Sequence, residues 1–339
     1  MRFVVVALLA LLGCGRRESE GDTSRPATAQ IEPDERCDPA QPKVCVGDYV
    51  VACEPEGKLG RRLRSCREGC REGACIASCD ADGVELIYVV DSTNNLLSFD
   101  PRKLPSDPFH LIGKLNCGRA FGSPFSMSVD RKGVAWVVYD DGELFKVSIT
   151  DAKCSRSGYT AGSSGSTTFG MGFVTDEAGG KTEKLYIANN NGSHTLSSID
   201  TTRSAPSSTA IGRISATEDQ NPELTGTSEG KLFGFFPGNS QPSFVQEIDR
   251  KSAAPRGTRW SLGSDALYIT AYAFAHWGGT FYIFVTAGGT TSVRTINRKT
   301  GDYKTVLDHV PYRITGAGVS TCAPELDGGK SANAGSATP

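Results

Sequence analysis

The stretch ELIYVVDSTNNLLSFD, residues 85 to 100, holds two apolar runs of strand length around a Ser/Thr/Asn turn, the local signature of a β-hairpin. The pattern recurs. ELIYVVD is followed by GVAWVVYD, KLYIANN, KLFGFFP and TFYIFVT, whose aromatic anchors Tyr88, Trp136, Tyr186, Phe233 and Tyr282 lie 48, 50, 47 and 49 residues apart. A second strand follows each time: LLSFD, ELFKVSI, TLSSID, FVQEID and SVRTINR. Multi-strand units at a fixed period of about 40 to 50 residues mark the blades of a β-propeller. One unit cannot cover its own faces, so neighbours must stack to make a core.

Ahead of four anchors lies a further strand of small residues: PFSMSV, FGMGFV, ELTGT and AYAFA. Small side chains suit the crowded centre where blades converge. Nothing equivalent precedes Tyr88, but an unmatched copy, RITGAGVSTC, occupies Arg313 to Cys322. Ring closure accounts for both facts if the C-terminal strand serves as the innermost strand of the first blade. The expected fold class is all-β: a five-bladed β-propeller over residues 80–325, closed by its C-terminal strand and preceded by a small disulfide-rich module at 37–79.

Eleven cysteines leave one over when paired. Cys37, Cys45, Cys53, Cys66, Cys70, Cys75 and Cys79 crowd into 43 residues, a density that reads as a disulfide framework replacing a core too small to form unaided. There is no C-x-x-C pair and no histidine between residues 15 and 109, which removes the usual zinc spacing. Ring closure places the end of the last strand near Glu85, so Cys322 is expected to pair with Cys79. Cys117 and Cys154 follow the third strands of successive blades and are expected to pair across that seam. Three bridges then remain inside the module, and Cys14 stands alone.

Cys14 ends the run MRFVVVALLALLGC: Arg2 is the positive start, and Phe3 to Leu12 is a ten-residue apolar segment. That is a secretory signal rather than a membrane span. Leu11-Leu12-Gly13-Cys14 resembles the bacterial lipobox, which implies cleavage after residue 13 and acylation of Cys14; more than one acyl chain gives stable anchoring. Residues 14–36, rich in Ser, Thr, Glu and Pro, read as a tether, and residues 326–339 as a disordered tail. In enteric bacteria Gly15 after the lipidated cysteine resembles the pattern of outer-membrane lipoproteins.

CDPAQPKVCVGDYVVACEPEGKLGRRLRSCREGCREGAC resembles a short Cys-rich repeat of secreted myxobacterial proteins. YAFAHWGGTFYIF and ITGAGVSTCAP resemble an uncharacterised family of myxobacterial lipoproteins with propeller-like repeats. These resemblances imply export and fold, not activity.

The chemistry in the chain is sparse. A net charge of −2 argues against a nucleic-acid partner. The four histidines stand far apart. Gly226-Thr-Ser228-Glu-Gly230 matches G-x-S-x-G, but that motif needs a strand-to-helix elbow and LTGTSEGKLFGFF offers no helix. Asp80-Ala-Asp82-Gly83 begins like a calcium loop without its closing acid. The turn residues Asp91, Asn94, Asp140, Asp141, Asn189 and Asn190, with Asn95 and Asn191 beside them, should emerge on one rim, and they form the candidate ligand surface. No cofactor is expected. The leading expectation is a non-enzymatic binding or scaffold lipoprotein, held to the bilayer through Cys14 and offering its rim to a protein or glycan. The alternative is a metal-dependent propeller hydrolase or lactonase, with a divalent ion at the central channel held by Glu223 and rim Asp or Asn residues.

Overall fold

The structure is a computed structural model, described for residues 36–325 except 48, 66–69, 72, 76–80, 82, 119–121, 216–220, 239–240 and 264–267. Cys14, the tether before residue 36 and the tail beyond residue 325 lie outside the described residues. So do Cys66, Cys79, Asp80 and Asp82.

The N-terminal region carries β1 (Lys43–Val46), β2 (Tyr49–Cys53) and β3 (Leu59–Ser65) in one antiparallel sheet, then the short pair β4 (Cys70–Arg71) and β5 (Ala74–Cys75). Val50, Val51 and Cys53 are its buried apolar residues. Disulfides Cys37–Cys53 and Cys45–Cys70 hold the sheet, and the Arg62 guanidinium lies 4.3 Å over the Tyr49 ring.

Twenty strands follow. They are β6 (Ile87–Asp91), β7 (Asn95–Phe99), β8 (Phe109–Lys114), β9 (Pro124–Val129), β10 (Val134–Tyr139), β11 (Leu144–Ser148), β12 (Cys154–Arg156), β13 (Phe169–Thr175), β14 (Glu183–Asn189), β15 (Thr195–Ile199), β16 (Ser208–Arg213), β17 (Glu223–Gly226), β18 (Leu232–Phe236), β19 (Phe244–Ile248), β20 (Pro255–Ser261), β21 (Ile269–Trp277), β22 (Thr280–Ala287), β23 (Thr290–Asn297), β24 (Tyr303–Val310) and β25 (Ile314–Val319). They form five four-stranded antiparallel sheets. Sheet I has the order β25-β6-β7-β8; sheets II to V take β9–β12, β13–β16, β17–β20 and β21–β24 in simple meanders. The last strand thus completes the first sheet, with Val319 opposite Ile87 and Ile314 opposite Asp91.

One position repeats in all five sheets. The aromatic anchor of the second strand stands opposite a small residue of the first: Tyr88 opposite Gly318, Trp136 opposite Ser128, Tyr186 opposite Gly172, Phe233 opposite Thr225 and Tyr282 opposite Ala275. A large ring beside a small neighbour fills the face without overpacking it. Five apolar clusters then lie one to a seam. Val90 meets Met127 between I and II, Trp136 meets Phe173 between II and III, and Val174 meets Leu224 between III and IV. Phe235 meets Phe274 between IV and V, and Phe284 meets Phe99 between V and I. The seams return from the fifth sheet to the first, an all-β circuit consistent with a β-propeller. Because each sheet is covered on both faces, its first two strands are almost continuously buried rather than alternating.

The outer strands manage their free edges. The third and fourth strands slip register at a bulge in sheets I, III, IV and V, which twists an edge away from edge-to-edge pairing. In sheet II the fourth strand is only three residues long, and its Cys154 is joined by a disulfide to Cys117 after β8 of sheet I. Cys322 is also disulfide-bonded; its expected partner, Cys79, lies outside the described residues.

Candidate functional site

The turns that join the second strand to the third bring the candidate rim residues to one end of the circuit, where several of their polar atoms also bond within the fold. Asp91, 3% exposed, accepts from the Thr93 N–H and hydroxyl, the Asn95 N–H and the Asn95 amide at 2.8–2.9 Å. Asn94 accepts from the Tyr139 hydroxyl at 2.7 Å and donates to Gly122 O. Asp140 accepts from the Ser123 N–H, and Asp141 from the Glu143 N–H. Asn189 donates to Ser164 O at 2.6 Å, Asn190 to the Thr168 hydroxyl and Asn191 to Gly165 O. Asn190 also accepts from the Asn221 amide of the neighbouring sheet.

A short Asp or Asn side chain reaches its own turn before it reaches a ligand. The candidate rim residues therefore also stitch their own turns and tie neighbouring sheets. Replacing Asp91 with Ala should remove the acceptor of all four donors and cost about 2 kcal/mol of unfolding free energy, read as a lower urea midpoint at unchanged m-value.

On the axis, Glu223 opens β17. It is 2% exposed, and its Oε2 accepts from the Ser126 hydroxyl at 2.9 Å. Burial drives its carboxyl well above the usual carboxylate range, against hydrogen bonds from Ser126 and from the Met171 and Leu224 N–H groups. Burial and the nearby Glu223 also push the Tyr272 phenol up. A divalent ion needs several oxygen or nitrogen ligands. Among the described residues no three His, Cys, Asp or Glu side chains group to hold one, and Glu223 has a hydroxyl and amides beside it instead of a second carboxylate.

At the opposite end of the circuit stands a buried charged cluster that sequence reading did not find. Glu229 takes Arg298 Nη2 at 2.6 Å and Lys231 Nζ at 3.1 Å. Burial works to raise its carboxyl, but Arg298 and Lys231 outweigh this and hold it down at about 2. Glu325, 3% exposed, accepts from the Ser228 N–H and, at 2.8 Å, from the Ser228 hydroxyl. Its Oε2 lies 3.5 Å from His276 Nδ1 and 4.0 Å from Arg298 Nη1. Burial and Glu229 push Glu325 up to about 7, while burial and Arg298 push His276 down to about 3.

This cluster sets the surroundings of Ser228. In the Ser-His-Asp order an imidazole lies next to the serine hydroxyl and an acid beyond the imidazole. Here the carboxylate lies next to the hydroxyl and the imidazole beyond it, and the Ser228 N–H is taken by the same carboxylate. The motif joins β17 to β18, two strands, where the elbow requires a helix. No local signal marks the site, because Glu325 and Ser228 are 97 residues apart. A cavity of about 500 Å³ lies against the outer strands of sheet II, lined by Lys132, Lys146, Lys153 and Ser148. Two of those lysines are engaged, Lys146 over the Trp136 ring and Lys153 with Asp151. Among the described residues no helix is long and apolar enough to cross a membrane.

No family model and no curated protein matches the chain. Solved structures match by fold. A Bacteroides thetaiotaomicron protein of unknown function aligns at 13% identity over 79% of this chain and 72% of that one, with a TM-score of 0.42. The β-propeller domain of Myceliophteria thermophila Cps50 (Swd1) aligns at 12% over 82% and 85%, TM-score 0.36. Regucalcin from Agrobacterium tumefaciens, described as a calcium-binding protein, aligns at 11% over 83% and 90%, TM-score 0.38. Activity must be read from this chain's own side chains.

Proposed function

We propose that the chain is an exported lipoprotein, acylated on Cys14 and tethered to the bacterial cell envelope, in the outer membrane. Its five sheets are the blades of a five-bladed β-propeller that acts as a non-enzymatic binding or scaffold module toward a protein or glycan. The observation that supports this reading is the use of side chains at the two ends and the axis: Asp91, Asn94, Asn190, Glu223, Glu325 and the motif serine make ties within turns and between sheets. Such ties make a rigid platform, and they leave recognition to backbone groups and surface loops.

Intact mass of the membrane-extracted protein tests the anchor. The wild type is expected to carry acyl mass on Cys14, with ten cysteines alkylated only after reduction. Cys14→Ser should lose that mass and leave the membrane fraction. An unacylated wild-type chain retained in the membrane would refute the anchor. Elemental analysis with a lactone and ester hydrolysis screen tests the second half: a stoichiometric divalent ion, with turnover lost in Glu223→Gln, would replace the binding module by a hydrolase.

A further inference from the structure

Beyond β25 the chain does not leave the circuit but crosses its end as Ser320-Thr321-Cys322-Ala323-Pro324-Glu325. Ser320, Thr321, Ala323 and Glu325 are all at most 8% exposed. The segment starts on sheet I and touches three others. The Thr321 hydroxyl donates to Glu183 Oε2 of sheet III at 2.8 Å, and Pro324 O accepts from the Gly278 N–H of sheet V at 2.7 Å. Glu325 takes Ser228, beside sheet IV, and approaches His276 of sheet V. Sheet II is reached through Glu183, whose Oε1 accepts from the Arg131 N–H at 2.8 Å. This six-residue strap bridges several sheets; the disulfide of Cys322 anchors its middle, and two buried carboxyls grip it, one near each end.

We propose that residues 320–325 are a proton-sensitive clasp: Glu183 and Glu325 hold the strap across this end of the ring while protonated and loosen it as they ionise.

The burial of both carboxyls supports this, outweighing the donors from Thr321, Arg131 and Ser228 that favour the ionised form. Around Glu183 the charged groups are Asp130 and Arg131, and the Arg131 guanidinium is directed to Gly180 O. Around Glu325 they are Glu229, Arg298, Lys231 and His276; Arg298 and Lys231 are bound by Glu229, and His276 is held neutral. Both carboxyls are raised from 4.5 to about 7, chiefly by burial. The docked strap therefore binds more protons than the released strap between pH 4.5 and about 7. Docking is strongest below that window, weakens through it and levels off above it. Each carboxyl contributes up to about tenfold per pH unit.

Amide hydrogen exchange of residues 314–325 in the full chain, corrected for intrinsic rates, measures the opening directly. In the wild type the opening constant should rise at least about tenfold from pH 5.5 to 7.5. Glu183→Gln/Glu325→Gln keeps an acceptor and a neutral group at both grips, and it should show the acid-like protection at both pH values. Glu223→Gln serves as control, since that buried acid gives global stability a pH dependence of the same sign; the strap's response should survive in it. Strap exchange that ignores pH in the wild type would overturn the clasp, even if the double variant did not fold. A double variant that kept the wild-type response would overturn it equally.

Discussion

Gly226→Ala should cost at least about 3 kcal/mol of unfolding free energy, although it adds one methyl to a strand and needs no unusual backbone angle. The reason lies in the centre of the ring, where the first strands of successive sheets touch backbone to backbone. A Cβ on Gly226 would fall on the Phe173 carbonyl oxygen of sheet III, and one on Gly170 on the Pro222 carbonyl oxygen. On Gly172 it would come within 3.0 Å of Thr225 Cα, and on Gly318 within 2.8 Å of Ser128 Cα. Main-chain atoms cannot rotate aside as a side chain can, so the seam must open and Val174, Leu224 and their neighbours lose contact. Gly192→Ala is the control. It sits in open space with φ +73° and should cost about 1 kcal/mol from left-handed strain alone. Urea midpoints compare the two. A Gly226→Ala loss no larger than that of Gly192→Ala would mean that the inner strands have room to separate.

Cys117→Ser/Cys154→Ser should lose about 4 kcal/mol in the chain-entropy estimate for a loop of this size. The bond spans 37 residues and joins sheets I and II, where the fourth strand of sheet II is shortest. Without it, β12 has three ladder positions to keep it in place, so its fraying should precede global unfolding. Hydrogen exchange in residues 154–156 would report this, and urea midpoints of the oxidised wild type and the oxidised double variant would measure the loss. Equal midpoints for oxidised wild type and double variant would place the stability of that seam in its apolar cluster alone.

Much of the architecture was readable because it is periodic. The anchors Tyr88 to Tyr282 repeat near 49 residues because each sheet needs one large ring beside one small residue. The inner strands are recognisable by their glycines, serines and alanines because no larger side chain fits where backbones meet. RITGAGVSTC was recognisable as an inner strand for the same reason, and its pairing with β6 follows from the missing strand ahead of Tyr88.

The ties that the rim residues make were not legible in the sequence, for an instructive reason. Asp91, Asn94, Asp140 and Asn190 are the residue types that bind ligands and also the types that tie turns, and composition alone does not separate the two. The choice is made by distance: Tyr139 hydroxyl against Asn94, or Asn221 against Asn190, meet only when neighbouring sheets stack.

What the sequence determined by itself was the repeat, its strand content, the surplus cysteine and the closing strand, since these depend on local spacing and on side-chain size. What tertiary structure alone decided was the fate of the polar groups. Ser228 and Glu325 are 97 residues apart, and Thr321 and Glu183 are 138 apart. Whether such a carboxyl becomes a ligand, a nucleophile's partner or a clasp depends on which donor lies within about 3 Å after water is excluded, and no periodicity in the chain encodes that.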